Sequence, residues 1–224
     1  MLAGAASGWS IPLHGPLTEG ECIRIGWPED AELDAITELR NRADVRRQFL
    51  DPRVLDLEGN REWLRHGMRR PYEAVLAIRM KVDGAFIGAI GWSKGDPAER
   101  SFELGRVMVD ARTLVRYRDS FPDRYPGVAV DAGTAIRDFA FTTLGLELMR
   151  AVVIEENRLS QRAVAAGGGR VVGTRTERRS DGSEVHLIDL ECSREDWMRL
   201  TGRAHGKPRL GALVEAPPAP LPSP

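Results

Sequence analysis

The sequence predicts an α/β (α+β) domain in which a mixed central β-sheet of about seven strands is flanked by about four helices. Two patterns lead to this fold class: apolar runs of strand length alternate with helical patterns, and Asp-Gly pairs join neighbouring strands in two places. The 224 residues are enough for one ordinary domain with a sizeable core. We expect this domain to span residues 17–202, between a loose arm (1–16) and a disordered tail rich in proline and alanine (203–224).

The first part of the domain is expected to hold one strand and two helices. The alternating stretch ECIRIGW predicts the strand. Pro28 followed by Glu29 and Asp30 is typical of a helix start, because proline suits the first turn and acids there favour the helix dipole. The first helical stretch continues towards Leu50, and a second helix is expected from Leu57 to Gly67.

The middle of the domain is expected to be a hairpin, a further strand and a loop. The stretch YEAVLAIRMKVDGAFIGAIGWSK has two apolar runs joined at Asp83-Gly84, which indicates a β-hairpin. SFELGRVMVD predicts the next strand. The arginine-rich stretch ARTLVRYRDSFPDRYPG contains Pro122 and Pro126, so we expect a long loop there.

The last part of the domain alternates helix and strand before a closing hairpin. VAVDAGTAIRDFAFTTLGL has one apolar face and predicts an amphipathic helix that ends near Gly145. ELMRAVVIEEN predicts a buried strand, and a short helix follows it. RVVGTRTERRSDGSEVHLIDLEC predicts a hairpin that turns at Asp181-Gly182.

Charge and composition exclude several classes of function. The net charge of −1 gives no overall attraction to nucleic acid or to an anionic membrane. Two cysteines make no disulfide framework, and the four histidines lack ligand spacing, so we expect no metal site. The N-terminal stretch is unlike a secretory signal, and no apolar run is long enough to span a bilayer, so we expect a cytoplasmic protein.

The short helix after the buried strand has an unusual start and end. Asn157 and Ser160 lie three residues apart at its beginning, and Gly167–Gly169 follow it. One interpretation is structural, because Asn or Ser commonly caps a helix start and Gly commonly ends one. The other is that both polar side chains contact a ligand at the end of the strand. The residues alone leave both interpretations open.

Three stretches of the sequence carry recognisable motifs. They are ELRNRADVRRQFLD with REWL further on, PGVAVDAGTAIRDFAF, and NRLSQRAVAAGGG. In this order they resemble the GCN5-related N-acetyltransferase (GNAT) superfamily, and especially its branch of ribosomal-protein and amino-sugar acetyltransferases. The second resembles the family's G-x-G-Y-A-T-E-A helix start, with Gly127 at the second glycine and Asp131 at the glutamate. The third resembles N-x-x-S-x-R, and the resemblance covers about residues 21–197.

The resemblance implies that acetyl-CoA is the co-substrate. Its pantetheine arm would lie between GRVMVD and RAVVIE, and its pyrophosphate at the N-terminus of the amphipathic helix, where N–H groups converge. PDRYPG departs from the family's (Arg or Gln)-x-x-Gly-x-Gly, and nearby arginines could offset this: Arg112, Arg116, Arg118 and Arg124. The implied CoA-binding residues are Val107, Val109, Arg124, Tyr125, Gly127, Val128, Ala129, Asn157, Ser160 and Arg162.

The resemblance also implies roles in the transfer. A neutral amine must attack the thioester, so a base must take its proton. Glu103 is the candidate by position, with a surface acid or a group that binds the acceptor as a cation as the alternatives. The tyrosine with which many relatives protonate the thiolate would fall near Val164 and is absent, which leaves Ser160 as a substitute.

Arg40 and Asn41 of the first helix would face the acceptor by the same resemblance, and Trp92 is a further candidate. Helix surface and core packing are the alternative roles of these residues. The expected acceptor is a primary amine of a small metabolite, an amino sugar or a protein N-terminus, and the enzyme would be a monomer or a homodimer. The alternative function is a catalytically weak acyl-CoA-binding regulatory module, which the altered phosphate loop and the missing tyrosine would suit.

Overall fold

The computed structural model describes residues 2–3, 10–11, 15–67, 72–117 and 127–202. Its strands are β1 (Leu2–Ala3), β2 (Ser10–Ile11), β3 (Pro16–Glu19), β4 (Ile23–Gly26), β5 (Ala74–Met80), β6 (Phe86–Asp96), β7 (Ser101–Val109), β8 (Leu148–Ile154), β9 (Arg170–Arg178) and β10 (Glu184–Ser193). Its helices are α1 (Asp30–Asn41), α2 (Ala43–Arg46), α3 (Leu57–Gly67), α4 (Ala111–Leu114), α5 (Val128–Asp138), α6 (Arg158–Ala166) and α7 (Arg194–Thr201). A 3₁₀ turn at Val115–Tyr117 follows α4, and a π-helical turn at Phe139–Thr143 continues α5.

Eight strands form one mixed sheet in the order β3-β4-β5-β6-β7-β8-β10-β9, and β1 pairs with β2 in a separate two-stranded ribbon. Within the large sheet β7 and β8 are parallel, whereas every other described neighbouring pair is antiparallel. The mixed sheet with helices packed on it confirms the predicted fold class.

Helices cover both faces of the sheet, because successive strand residues point to opposite sides. On one face, Val75 of β5 packs with Leu33 of α1 and Leu64 of α3. On the other face, Leu76 belongs to the main core together with Ile136 of α5. Both cysteines of the chain are buried and free. The predicted amphipathic helices therefore bury their apolar faces where the sheet needs cover.

A local contact fixes where α1 begins, and a long-range contact fixes where α5 packs. Glu29 caps α1, and its backbone N–H donates to the Glu32 carboxylate at 2.7 Å, which completes a capping box. Asp131 of α5 is 2% exposed and accepts the backbone N–H groups of Glu21 at 2.7 Å and Cys22 at 2.9 Å. The acid that the motif comparison singled out thus holds α5 against the chain that leads into β4.

The long loop predicted after β7 begins instead as the helix α4. Asp110 caps it by accepting the N–H of Arg112 at 3.1 Å and the hydroxyl of Thr113 at 2.6 Å. The rest of the predicted loop, residues 118–126, lies outside the described residues. The helical stretch expected to run on to Leu50 is also divided, because Arg42 adopts an extended conformation between α1 and α2.

The sequence patterns did not predict β3 or α7. Ser193 caps α7 by accepting the N–H of Asp196 at 3.0 Å, and Gly202 ends it with a φ of 66°. The one residue of α7 that is fully buried is Trp197, so the helix carries a weak apolar pattern. Ile11, within the expected N-terminal arm, is buried in the main core.

Candidate functional site

The sheet opens between its two parallel strands. β7 and β8 pair from Ser101 with Leu148 to Glu103 with Arg150, and beyond this point the two strands, described throughout, have no further paired residues. β7 continues to Val109 and β8 to Ile154, so a V-shaped gap separates their C-terminal halves. Backbone groups that face the gap are left for another partner.

β7 is also bent where the gap begins. Its pairing with β6 passes from Gly91 opposite Gly105 to Ala89 opposite Met108, so β7 carries one extra residue, which is a β-bulge. Within it Arg106 has a φ of 55°, a conformation that costs energy for a residue with a side chain. Strained residues of this kind cluster at functional sites, so the bulge marks this part of β7 as a candidate.

A cavity of about 380 Å³ lies at the gap. Residues of β7, β8 and α6 line it, and the segment after α2 closes one side. The cavity brings together five of the residues that the sequence analysis selected: Arg40, Glu103, Val107, Asn157 and Ser160. Because these residues belong to three separate elements, α1, β7 and the capped start of α6, their convergence supports a ligand site at the gap. We call this cavity the cleft.

Glu103 lies where the strands separate, with its side chain 22% exposed. The Lys94 ammonium is 2.7 Å from its Oε2. A carboxylate on the wall of a cleft can exchange a proton with a bound amine or with water, and the neighbouring ammonium is exposed enough to move aside.

Asn157 caps α6, as one interpretation of the sequence predicted. Its side-chain oxygen accepts the backbone N–H of Ser160 at 3.1 Å. Its amide nitrogen has no hydrogen bond to the described residues, and neither has the hydroxyl of Ser160 as a donor. The helix ends at Gly167 as expected, and the site favours glycine, because a Cβ there would lie 2.2 Å from the guanidinium carbon of Arg137.

The predicted phosphate site is described in part. Gly127 caps α5, Val128 is buried in the core, and Ala129 is half-buried. α5 packs beside α6, which brings the two predicted cofactor helices together. Arg124 and Tyr125 lie outside the described residues.

Apart from Asn41 and the residues at the start of α5, three more of the selected residues do not line the cleft. Arg162 is exposed on α6, and Val109 pairs with Gly88 of β6. Trp92 is 1% exposed and stacks on Phe102, with 5.3 Å between the ring centroids. The expectation that Trp92 contacts the acceptor is therefore corrected, because the main core surrounds its ring.

A second cavity of about 610 Å³ adjoins the cleft and lies between α1, α3, the sheet and the segment 49–56. Its walls are mainly apolar, from residues including Phe49, Leu55, Trp63 and Met108. Its volume is in the range of small-molecule sites. We call this cavity the acceptor pocket, after the role that we propose for it. Four residues line both cavities, so the two are adjacent: Arg40, Phe49, Asp51 and Arg106.

Asn41 shapes the acceptor pocket without lining it. Its side-chain amide donates to the carbonyl of Leu55 at 2.8 Å and accepts the N–H of Leu55 at 2.7 Å. This pair of bonds fixes the segment 49–56 against α1. Asn41, which the resemblance placed in contact with the acceptor, is thus a positioning residue for the pocket wall.

Arg40 lies at the junction of the two cavities and is 7% exposed. Its guanidinium carbon is 3.9 Å from the centroid of the Phe49 ring, and its Nη2 donates to the carbonyl of Asp51. Its Nη1 is buried without a hydrogen-bond partner among the described residues. Burial lowers the pKa of Arg40 below its ordinary value, an effect that the nearby Asp51 carboxylate opposes.

Sequence reasoning selected none of Phe49, Asp51, Trp63 and Arg106. Arg106 donates to the Glu73 carboxylate and lies 5.0 Å from the Trp63 ring centroid. These residues come from separate parts of the chain, and no local motif links them. Among the described residues, no three acidic, histidine or cysteine side chains are arranged to hold a metal. No helix in the described part of the chain is long and apolar enough to cross a bilayer.

The geometry agrees with comparisons to known proteins. The family described as acetyltransferase (GNAT) domain matches residues 23–170. No curated protein matches the chain. The chain is similar to the solved structure of Mycobacterium smegmatis RimJ in complex with CoA-disulfide, with 19% identity over 89% of this chain and 92% of that one and a TM-score of 0.66.

Two other solved structures show the same fold. Spermidine N-acetyltransferase from Vibrio cholerae, in complex with CoA and spermine, is 14% identical over 79% of this chain and 98% of that one, with a TM-score of 0.64. A GCN5-related N-acetyltransferase from Brucella melitensis is 17% identical over 85% of this chain and 84% of that one, with a TM-score of 0.65. Because the family match covers well over half of the sequence, the chain belongs to the GNAT acetyltransferase family and is an N-acetyltransferase.

Proposed function

We propose that this chain transfers an acetyl group from acetyl-CoA to the primary amine of an acceptor, with acetyl-CoA in the cleft and the acceptor in the adjoining pocket. The observation that carries the proposal is the separation of β7 from β8 after three paired residues. An extended pantetheine arm carries amides that can pair with the strand edge left open there, as an added strand would. The acceptor pocket joins this cleft through shared wall residues.

The roles of individual residues follow from their places. Val107 offers backbone groups on the open edge of β7, and the free amide nitrogen of Asn157 faces the same cleft. The N–H groups of Gly127, Val128 and Ala129 at the start of α5 suit the pyrophosphate. Ser160, which lines the cleft, is a further proposed cofactor contact, and the resemblance adds Val109, Arg124, Tyr125 and Arg162 as contacts for parts of the cofactor outside the cleft.

In the transfer, the neutral amine attacks the thioester carbonyl carbon, an N–C bond forms and the C–S bond breaks. The nitrogen loses one proton, for which Glu103 is the proposed base, and CoA leaves as a thiolate that takes up one proton. Ser160 is the proposed donor for that step, because it lines the cleft on the α6 side. Both substrates are held together, so the reaction needs no acyl-enzyme intermediate. We propose that the enzyme works in the cytoplasm.

Calorimetric titration with acetyl-CoA tests the proposal, and Asn157 offers a sharp pair of variants. Asn157→Asp keeps the oxygen that caps α6 but removes the amide donor, so we expect an unchanged melting temperature and a Kd raised about tenfold. Asn157→Ala removes both groups and is expected to cost about 1 kcal/mol of stability as well. Gly127→Val crowds the start of α5 and should weaken binding further.

Equal affinity of the parent protein and Asn157→Asp would show that the amide nitrogen does not bind the cofactor. If the parent protein bound no acetyl-CoA, the proposed function itself would be wrong. Binding without thiol release in the presence of any amine would favour the regulatory acyl-CoA-binding module.

A further inference from the structure

Arg40 lies at the junction of the two cavities with other arginines nearby. Burial, and to a smaller extent Arg46 and Arg53, lowers its pKa, and the Asp51 carboxylate opposes this effect. The Asp51 carboxylate already pairs with Arg53, 2.7 Å from its Nε, and accepts the hydroxyl of Ser180 at 2.9 Å.

Arg40 is the buried member of this group and has no carboxylate partner among the described residues. Its guanidinium rests on Phe49 and donates to one carbonyl, while Nη1 has no acceptor in the part of the chain that the structure describes. A buried donor without a partner is costly, and a buried charge without an opposite charge is more so. Arg106, the other arginine at the junction, is paired with Glu73. Of these two arginines, Arg40 is therefore the one available to pair with an anion.

The place of Arg40 restricts where an anionic group can sit on the acceptor. Its side chain lines both cavities, so an anion paired with it lies next to the point where the cleft meets the pocket. The reacting amine must reach the same point to attack a thioester in the cleft. The amine and the anionic group are consequently close neighbours on the acceptor, and the apolar pocket of about 610 Å³ receives the remainder.

We infer that the acceptor is a small amino acid in the broad sense: an amine with a carboxylate or phosphonate one or two carbons away and an apolar side chain that fills the acceptor pocket. Arg40 is its specificity-determining residue. This inference rests on the proposed function. It distinguishes the acceptor from a polyamine, which has no anionic group, and from a protein N-terminus, whose neighbouring carbonyl is an uncharged amide. Asp56 also lines the pocket, but its side chain is exposed, so water and salt weaken its attraction for a cationic acceptor.

Matched acceptor pairs test the inference by CoA release in a thiol assay. Phenylalanine is compared with phenethylamine, and leucine with isoamylamine, and 1-amino-2-phenylethylphosphonate is added to separate phosphonate from carboxylate. We expect kcat/KM for each amino acid to exceed that of its decarboxylated partner by roughly 10- to 100-fold, the range of a hydrogen bond to a charged group. A preference for the phosphonate over phenylalanine would assign the anion site to phosphonates.

Variants separate a charge effect from a folding defect. Arg40→Gln is expected to lower kcat/KM for phenylalanine roughly 10- to 100-fold more than it lowers kcat/KM for phenethylamine, so that the preference disappears. Arg40→Lys should restore part of the preference, because it keeps the charge but loses the planar fork. Arg61→Gln is the control, since its arginine pairs with Asp34 outside both cavities. Acetyl-CoA titration of each variant shows whether the cleft is intact.

The outcomes distinguish the two proposals. If the parent protein does not bind acetyl-CoA, the proposed function is wrong. Binding of acetyl-CoA with equal or better turnover of phenethylamine, or of spermidine, would leave the function in place and overturn the amino-acid inference. So would binding of acetyl-CoA with no turnover of any anionic member of the panel, or an unchanged preference in Arg40→Gln.

Discussion

At the scale of single residues, Asn157 shows why a structural and a functional interpretation of one side chain need not compete. Its amide has two ends, and the oxygen alone caps α6 through the N–H of Ser160. The nitrogen is left as a donor on the wall of the cleft. Arg40 is similar, because its Nη2 donates to the carbonyl of Asp51 while its Nη1 has no hydrogen-bond partner among the described residues. Each side chain thus stabilises the local fold through one polar atom and leaves the other available to a ligand.

Tyr117 gives a prediction at this scale that concerns pH. It is 8% exposed, and its hydroxyl donates to the Asp83 carboxylate at 2.7 Å. Burial, with the hydrogen bond to Asp83, raises the pKa of Tyr117 from 10.0 to about 12. A raised pKa means that the folded state favours the protonated phenol, so this contribution to stability is complete below the unfolded pKa and is lost as pH rises through the folded one.

We therefore expect the free energy of unfolding to fall more steeply in the parent protein than in Tyr117→Phe between about pH 10 and pH 12. Urea titrations in this range measure both proteins, and their difference isolates Tyr117 from other groups that titrate there. A difference that stays constant across the range would show that the phenol is not perturbed in the folded state.

At the scale of elements, the cleft exists because β7 stops pairing with β8 after Glu103. β7 pairs with β6 from Ser101 to Val109, with interruptions at its bulges, but with only the start of β8, and Arg106 within the bulge donates to Glu73. Two glycines stand opposite each other beside this bulge, Gly91 on β6 and Gly105 on β7. A Cβ on Gly91 would lie 2.2 Å from the carbonyl oxygen of Ala74, whereas a Cβ on Gly105 would meet nothing within 4 Å.

Gly91→Ala and Gly105→Ala form a matched pair. Gly91→Ala forces β5 and β6 apart, and we expect it to cost about 3 kcal/mol, which lowers the melting temperature by roughly 10 °C in a domain of this size. Gly105→Ala should leave the melting temperature within about 2 °C and act on acetyl-CoA affinity instead, because Gly105 lines the cleft. Calorimetric melting of the two variants checks this, and equal losses of stability would contradict the crowding argument.

The elements that the sequence predicted are those with complete local signals. Asp83-Gly84 and Asp181-Gly182 gave both hairpins, and α3 was predicted with its observed bounds. α7 was missed although Ser193 with Glu195 and Asp196 is a helix-start signal, because the helix buries a single large residue. β3 was missed because each of its residues is only partly buried or exposed, so its pattern is weak.

At the scale of the whole molecule, the site is harder to predict because it is assembled from distant segments. Motif resemblance selected Arg40, Glu103, Asn157 and Ser160, which the fold brings to one cavity. It could not show that Asn41 binds Leu55 or that Trp92 is enclosed by the core, since both depend on long-range packing. The partners of Arg40 are likewise set by the path of the segment after α2, for which no local rule exists.

Two further long-range contacts support the segment after α2. The turn between β9 and β10 reaches the segment after α2: Arg179 donates to the carbonyl of Arg47 at 3.1 Å, and Ser180 to the Asp51 carboxylate at 2.9 Å. Since Asp51 lines both cavities, this turn supports the wall that the two substrates would share. Both contacts are exposed, so they add little to global stability.

We expect the double variant Arg179→Ala with Ser180→Ala to loosen this wall without unfolding the domain. Amide hydrogen exchange in residues 47–56 should become faster, while the free energy of unfolding changes by less than about 1 kcal/mol. The Michaelis constant for the acceptor should rise, because the Asp51 side of the pocket is no longer held. Ser183→Ala is the control, since its hydroxyl bonds to Asp181 within the same turn. If the control and the double variant exchanged at the same rate, the bridge would have no part in ordering the pocket, and the segment would owe its position to Asn41 and Arg40 alone.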